Sequence, residues 1–349
     1  MRLKALLIPL LLVFAAAAPA CAQTCQGRDL IQALPPARLD ALQAASRKVP
    51  FHQGLFWRAS KGDSRILLLG TYHFDDPRHG ATLAQFGPEL ARADALLVEA
   101  GPVEEAALAQ AMTSDPALIM DADGPTLPER MTAPDWQALS AAMEARGMPA
   151  VITSRLRPWY VSVMLGISPC MIRAMKETGD AGGLDHRLIR AAEAADVPVR
   201  ALEPWDTVFK LFGDMTPAEE IDMLRAAMPA AEYADDYAVT LTDAYFSGES
   251  WLIWEFGRFD AYDRSGMSRA EVDEQMRLAQ EKLMDRRNES WVPVIESAAR
   301  AAAARDKGIV VGFGALHLPG GKGVLSLLGQ RGWTISPVEP LGGGTGDDG

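Results

Sequence analysis

The stretch Arg65-Ile-Leu-Leu-Leu-Gly70-Thr-Tyr-His73 decides the fold class of this 349-residue chain. Its apolar residues form a continuous run that ends at a glycine, which is typical of a strand buried on both faces of a sheet. A second stretch of the same form, Gly308-Ile-Val-Val-Gly-Phe-Gly314-Ala-Leu-His317, occurs near the other end of the chain. Both stretches predict a buried parallel strand followed by Gly-x-x-His.

The segments around these two stretches extend the prediction to a whole sheet. A helical pattern over 81–93 and an apolar strand over 95–99 follow the first stretch, and together they form a βαβ unit. A helix over 185–195 precedes another strand over 197–203, and a last strand is predicted over 332–338. The sequence therefore predicts an α/β fold with a central, mostly parallel sheet.

Helical patterns dominate the middle of the chain. One helix begins at Thr132 and ends at Gly147, and residues 216–304 show a run of helices without a convincing strand. We therefore expect one α/β domain over 23–340 with a large helical insertion at about 103–300. The Gly- and Asp-rich tail over 341–349 is predicted to be disordered.

Residues 1–22 have the form of a secretory signal. A short basic start precedes an apolar run over 5–18, and Ala20-Cys21-Ala22 is a small-x-small cleavage site. The run is shorter than the roughly 20 apolar residues that span a bilayer. We expect a cleaved signal and a periplasmic or secreted protein. A lipoprotein with lipid on Cys21 is a less favoured alternative, and no later stretch is long enough to form a transmembrane segment.

Composition and cysteine count narrow the function classes further. The chain carries 46 acidic and 34 basic residues, a net charge of −12, which disfavours nucleic-acid binding because that needs a basic face. Removal of the signal leaves Cys25 and Cys170. Two cysteines in an exported chain favour one disulfide, with two unrelated thiols as the alternative.

Two histidines follow the two decisive strands at the same offset. His73 lies three residues after Gly70, and His317 lies three residues after Gly314. Sites in open parallel sheets form in the crevice beyond the carboxyl ends of the strands. We expect the two glycines to let the chain turn sharply there, so that both imidazoles face one crevice.

Two glutamates occupy equivalent places in the pattern, since Glu99 and Glu203 each end a predicted strand. A carboxylate there is costly to bury unless it is paired, protonated or bound to a cation. Together with His73 and His317 they form a plausible ligand set for a divalent metal such as Mn, Co or Zn. General acid–base chemistry without a metal is the alternative.

The helical segment around Arg287 and Asn288 also carries candidate groups. Asn288 is the only asparagine in the chain, and it falls inside a predicted helix, where asparagine is unfavourable. Both side chains could donate hydrogen bonds to a developing oxyanion. The alternative interpretation is that this segment is a salt-bridged helix face without a catalytic role. The zincin, α/β-hydrolase elbow and P-loop motifs are all absent from the sequence.

Taken in order and spacing, these motifs resemble those of the TraB/GumN family, which includes PrgY and the TIKI proteases. The resemblance extends from about Cys25 to Val338. It is carried by Gly70-x-x-His73, Glu99, Leu202-Glu203, Arg287-Asn288-x-x-Trp291 and Gly314-x-x-His317-Leu318-x-Gly320-x-x-Gly323.

The resemblance implies a fold like that of the erythromycin esterases and ChaN. For the TIKI branch it implies metal-dependent hydrolysis of peptide bonds, with His73, His317 and Glu99 as the functional residues. Asp185 follows Gly182-Gly183, where family members often carry an aspartate, and is expected to face the same crevice. A minor alternative makes His79 a mobile extra ligand.

The expected function is an exported, metal-dependent hydrolase that acts on a peptide or small-molecule substrate. A carboxylate that is not bound to the metal, Glu203 or Glu99, would take the proton from water. Alternatives from other classes are a non-catalytic periplasmic binding protein for a peptide, a glycan or haem, and an accessory factor in envelope polysaccharide biosynthesis. The sequence leaves the oligomeric state open.

Overall fold

The computed structural model describes residues 25–178 and 182–340. The predicted signal over 1–22, which includes Cys21, and the predicted tail over 341–349 lie outside the described residues. Within the described part, six strands form one sheet in the order β4-β3-β5-β2-β1-β6. The strands are β1 (Phe56–Lys61), β2 (Ser64–Thr71), β3 (Leu96–Val98), β4 (Val199–Ala201), β5 (Ile309–Gly314) and β6 (Thr334–Pro337).

Helices surround this sheet and make up most of the described chain. They are α1 (Pro36–Ser46), α2 (His79–Leu90), α3 (Pro102–Ser114), α4 (Leu127–Arg130), α5 (Ala133–Ala145), α6 (Ala150–Thr153), α7 (Pro158–Leu165), α8 (Pro169–Thr178), α9 (Leu184–Ala194), α10 (Thr207–Gly213), α11 (Pro217–Ala231), α12 (Ala234–Phe246), α13 (Ser250–Arg264), α14 (Arg269–Gln280), α15 (Arg286–Ala303) and α16 (Val324–Gln330). A π-helical segment, Glu281–Asp285, joins α14 to α15. None of the helices in the described residues is long and apolar enough to cross a membrane.

The prediction of a mostly parallel sheet is confirmed. Strands β2 and β5 run parallel as neighbours, β3 is parallel to both β5 and β4, and only β1 runs antiparallel to its neighbours β2 and β6. The register places Gly70 opposite Phe313 and Thr71 opposite Gly314. The carboxyl ends of the two Gly-x-x-His strands therefore lie side by side.

Strand β2 is buried on both faces, as its continuous apolar run predicts. Leu67 and Leu69 pack with residues of α2 and α9 in one apolar cluster. Ile66 and Leu68 pack with residues of α15 and α16 in another cluster on the opposite face. Helices on both sides of a largely parallel sheet are the arrangement that such strands require.

Strand β1 was not predicted from the sequence. It forms a hairpin with β2 through the two residues Gly62 and Asp63, and Lys61 pairs with Ser64. Gly62 has a φ of 56°, a conformation that glycine adopts without strain. A Gly-Asp pair between two strands is a recognised hairpin signal, and it could have identified β1.

The helical insertion is interrupted, because β4 returns to the sheet in the middle of it. The helices before β4 lie within 102–194 and those after it within 207–303. Helices α4, α5, α7 and α11 contribute to a separate apolar cluster. The segment before α1 is joined to α8 by a disulfide between Cys25 and Cys170.

Candidate functional site

The two Gly-x-x-His strands bring both histidines to one edge of the sheet. His73 lies two residues beyond β2, and His317 ends a short 3-10 turn, Ala315–His317, directly after β5. A β-carbon built on Gly314 would lie 3.3 Å from Glu99 Oε1, 3.4 Å from His73 Nε2 and 3.7 Å from His317 Cδ2. The two imidazoles and the carboxylate of Glu99 therefore surround Gly314, as the strand pattern predicts.

Gly70 and Gly314 matter to the site because they lack a side chain, which lets neighbouring groups approach the backbone closely. Gly70 lies inside β2, and Gly314 has an ordinary φ of −47° where β5 passes into the 3-10 turn, so neither position requires the conformational freedom of glycine. A β-carbon on Gly70 would lie 2.6 Å from Leu318 Cδ1. The missing side chains let the two strand ends and the 3-10 turn pack together.

His73 lies at the accessible mouth of the site. Its Nδ1 lies 2.9 Å from Asp185 Oδ2, and its side chain is 60% exposed. The other oxygen of Asp185 accepts a hydrogen bond from the hydroxyl of Thr71. The negative charge of Asp185 is the main cause that raises the pKa of His73 to about 9.

Asp185 reaches His73 because α9 begins directly against the strand end. The N–H of Leu184 donates to the carbonyl of Tyr72 at 2.9 Å. A β-carbon on Gly183 would lie 2.3 Å from the carbonyl carbon of His73, so only glycine fits at that position. The expectation that Asp185 faces the crevice agrees with this geometry.

His317 is held in a buried environment behind His73. Its Nδ1 lies 2.6 Å from Asn288 Oδ1, while Asn288 Nδ2 donates to the carbonyl of Lys322 at 3.0 Å. This pairing assigns a proton to Nδ1 and leaves Nε2 as an acceptor, 3.3 Å from Nη1 of Arg287. Burial lowers the pKa of His317 to about 4, and its ring packs against Trp291 with centroids 4.5 Å apart.

Arg287 uses all five of its N–H groups inside the protein. Nη2 donates to Glu99 Oε2 and Glu203 Oε1, both at 2.6 Å, and Nε donates to Glu203 Oε2 at 2.9 Å. Nη1 donates to the carbonyl of Leu283 at 3.2 Å and faces Nε2 of His317. Arg287 in this arrangement clamps the two glutamates and has no donor left for an oxyanion, contrary to the sequence prediction.

The two glutamates differ in the hydrogen-bond partners of their carboxylate oxygens and in their remaining capacity to bind a ligand. Glu99 Oε1 accepts the N–H of Gly314 at 2.7 Å and lies 3.8 Å from Nε2 of His317. Burial alone would raise the pKa of Glu99, but the charges of His317, Arg287 and His73 outweigh it and lower that pKa to about 2. Both oxygens of Glu203 are bound by Arg287, and one also accepts the indole N–H of Trp291 at 3.0 Å. Glu203 therefore does not fit its predicted role as a proton acceptor.

Asn288 also departs from its predicted role. Its side chain is 1% exposed, and its amide joins His317 to Lys322, so it orients the imidazole and does not face a reacting oxyanion. Sequence reasoning missed Thr71 and the indole N–H of Trp291, because neither residue type signals such a contact. His79 is fully buried and hydrogen-bonds the carbonyl of Phe74 at 3.0 Å, which excludes a mobile ligand.

Comparison with known proteins identifies the family. Residues 55–337 match the model of the TraB/PrgY/gumN family. The chain belongs to this family. The match spans all six strands and every residue of the site, but it begins at residue 55 and not near Cys25 as the resemblance suggested. No curated protein and no solved structure is significantly similar to the chain.

The family resemblance implies a divalent metal ion, and the site offers imidazole and carboxylate groups of the kind that such an ion takes as ligands. Among residues 25–178 and 182–340, no three His, Cys, Asp or Glu side chains are already placed to hold an ion. The donors are of the right kind, because His73 and His317 are each held at Nδ1 and present Nε2 toward the site; Nε2 of His317 would exchange its contact with Nη1 of Arg287 for a ligand bond. Glu99 adds a carboxylate, which transition metals accept beside imidazole.

Proposed function

We propose that the chain is a hydrolase that cleaves a carbonyl bond, with a peptide bond as the expected target. We further propose that His73, His317 and Glu99 hold a divalent metal ion in the active protein. The observation that supports this most directly is the pair of anchored imidazoles on neighbouring parallel strands, which share one carboxylate between them. The peptide substrate and the choice among Mn, Co and Zn rest on the family resemblance.

The partners of the two imidazoles support a role as ligands. Metal-binding histidines generally donate the other ring N–H to a carboxylate or a carbonyl, which fixes the ring and raises its basicity. Asp185 serves His73 in this way, and the side-chain carbonyl of Asn288 serves His317. The two rings are therefore oriented before any ion arrives, which lowers the cost of forming the site.

The charge balance of the site supports a cation as well. The site contains three carboxylates, those of Glu99, Asp185 and Glu203, and one guanidinium, that of Arg287, which pairs with Glu99 and Glu203 while Asp185 pairs with His73. With both imidazoles neutral, this leaves two net negative charges, which equals the charge of one divalent ion. The same negative potential raises the pKa of His73, and ion binding would release that proton.

Each residue then has a defined part in hydrolysis. A divalent ion, when bound, lowers the pKa of a water molecule and polarises the scissile carbonyl. Glu99 accepts two hydrogen bonds, from Gly314 and Arg287, and a carboxylate can accept about four, so it retains capacity to hold water. Arg287 and Glu203 fix the position of Glu99. His73, with its exposed side chain, faces the incoming substrate.

We also propose that the chain is exported to the periplasm or secreted. The apolar run over 5–18 supports this proposal, and so does the pairing of Cys25 with Cys170. Structural disulfides persist in oxidising compartments and are rare in the cytosol. N-terminal sequencing of the protein recovered from the periplasm tests this, and a start at residue 23 is the expected result.

A peptide-cleavage assay tests the hydrolase proposal. Protein purified without chelators or a His tag is incubated with a peptide library and with Mn, Co or Zn, and products are identified by mass spectrometry. Both His73→Ala and His317→Ala should lose at least ~100-fold in rate, while His52→Ala serves as the matched control outside the site. Full activity in either site variant would refute the proposal.

The same assay with a chelator separates two mechanisms. If the chelator abolishes activity and added metal restores it, the result supports a metal-dependent hydrolysis. Activity that persists in metal-free protein would instead support acid–base hydrolysis, in which the protonated ring of His73 donates to the developing oxyanion. Ligand binding without any cleavage would favour a non-catalytic binding protein.

A further inference from the structure

Two large apolar side chains lie exposed near Arg287, the residue that clamps the glutamates of the candidate site. Trp205 follows Glu203 by two residues and is 38% exposed. Leu283 lies in the π-helical segment and is 36% exposed. Single exposed apolar residues are normal, but two that come from distant parts of the chain and lie beside one site indicate a binding surface.

Arg287 joins the two segments that carry these side chains. Its Nε and Nη2 donate to the carboxylate of Glu203 at 2.9 and 2.6 Å, and its Nη1 donates to the carbonyl of Leu283 at 3.2 Å. Two residues of chain span at most about 7 Å, so the backbone of Trp205 lies within that distance of Glu203. The same guanidinium donates to Glu99 at 2.6 Å. Both apolar residues therefore lie within the length of a short peptide from the carboxylate that the two imidazoles share.

The π-helical segment is also close to the rest of the site and to the helix that follows α10. It contacts the turn Ala315–His317. Hydrogen bonds from Thr216 are the main cause that lowers the pKa of Glu219 in the first turn of α11, and the positive charge of Lys282 adds to that effect. Lys282 directly precedes Leu283. The segment therefore lies between the turn that carries His317 and the end of the α10 region. π-Helical turns of this kind are frequent at functional sites.

Trp205 is the exposed end of a packed row of aromatic rings. Its ring meets the edge of Phe209 in α10, with centroids 6.3 Å apart. Phe209 in turn lies 5.9 Å from Trp159 of α7, which is buried and stacks on Phe212 at 5.0 Å. The row supports Trp205 from behind while part of its ring stays exposed. An aromatic ring that is fixed in this way loses little conformational entropy when it binds a ligand.

The distances suit a side chain of a bound peptide. Successive residues of an extended peptide rise by about 3.4 Å, so a side chain one or two residues from the scissile bond lies about 3–7 Å along the chain from it. An apolar side chain at that place would contact the ring of Trp205 and the side chain of Leu283. Aromatic rings gain most there, because they pair with tryptophan in offset or edge-on contacts.

We infer that Trp205 and Leu283 form a subsite that binds a large apolar side chain of the peptide substrate, within two residues of the scissile bond. This inference rests on the proposed function, because the occupant is part of the substrate. It assigns a preference for peptides that carry phenylalanine, tyrosine, tryptophan or leucine beside the cleaved bond. The link through Arg287 to Glu99 selects the substrate as the occupant over a second copy of the chain.

Paired peptides test the subsite. Peptides that differ only in phenylalanine or alanine beside the cleaved bond are compared by kcat/KM, and we expect the phenylalanine peptide to be about tenfold better because its ring is buried on binding. Trp205→Ala and Leu283→Ala should each reduce that preference and leave the alanine peptide unchanged, and Trp205→Phe should keep most of it. Tyr233→Ala is the matched control, because Tyr233 is 37% exposed and packs on Arg264, outside the aromatic row.

A binding measurement separates this inference from the proposed hydrolysis. N-acetyl-phenylalaninamide or N-acetyl-alaninamide is added to metal-free protein, and saturation transfer from protein to ligand is followed by NMR. A signal on the phenyl ring that is lost in Trp205→Ala and kept in Tyr233→Ala supports the subsite even if no peptide is cleaved.

Three results would overturn the inference. Equal cleavage beside phenylalanine and alanine would exclude the subsite and leave the hydrolase proposal standing. Trp205→Ala that contacts N-acetyl-phenylalaninamide as the wild type does would exclude it without any cleavage. A dimer that Trp205→Ala converts to a monomer in size-exclusion chromatography would make this surface an interface between copies of the chain.

Discussion

Replacement of Asn288 by alanine tests how the buried histidine is held. The variant removes the acceptor of the His317 Nδ1–H at 2.6 Å and the donor to the carbonyl of Lys322 at 3.0 Å. An unsatisfied buried polar group costs about 1–3 kcal/mol, so two of them should lower the free energy of unfolding by about 2–6 kcal/mol. The ring of His317 also loses the partner that fixes its tautomer. Removal of such a partner typically reduces activity or metal affinity by about 10–100-fold.

Urea unfolding and a metal-binding titration measure these two effects. Asn288→Asp is the matched variant, because it keeps the acceptor for His317 and loses the donor to Lys322. Its added negative charge should stabilise the imidazolium and raise the pKa of His317 above about 4, which NMR titration of the metal-free protein detects. Wild-type stability and wild-type metal affinity in Asn288→Ala would refute the positioning role.

Three further predictions follow from the structure. Replacing Cys25 and Cys170 by serine should cost about 4–5 kcal/mol of stability by the chain-entropy estimate, and an unchanged denaturation midpoint would contradict this. Gly314→Ala should reduce activity more than stability, because its methyl group would enter between Glu99 and His73 at 3.3–3.4 Å; wild-type kinetics would argue against that crowding. Asp185→Asn should lower the pKa of His73 from about 9 toward its ordinary value in metal-free protein, since the carboxylate is the main cause of the increase; NMR titration checks this, and a pKa that stays near 9 would exclude Asp185 as the cause.

The parallel strands were predictable because burial on both faces leaves a distinct pattern. A run such as that over 65–70 lacks polar alternation, so the strand and its parallel partners follow from sequence. Strand β1 was missed because its pattern is mixed. The strand is buried because it pairs with β2 through the Gly62-Asp63 turn. Its prediction therefore depends on recognising that hairpin in the sequence.

The members of the site were predictable, whereas their partners were not. His73, His317 and Glu99 follow strands, so sheet topology alone brings them to one edge. The role of Arg287 depends on contacts with residues more than 80 positions away in sequence. Sequence shows that an arginine has five donors but not how many are already occupied, so its predicted oxyanion role failed. The positions of Asn288 and Glu203 left no sign in the sequence for the same reason, because their hydrogen bonds are set by tertiary packing.

Metal content tests the central claim most directly. Mature protein purified from the periplasm without chelators is analysed for transition metals, beside the double variant His73→Ala/His317→Ala. We predict about one divalent transition metal per chain in the wild type and none in the double variant. Wild-type protein that contains no metal and takes up no Mn, Co or Zn on titration would contradict the account.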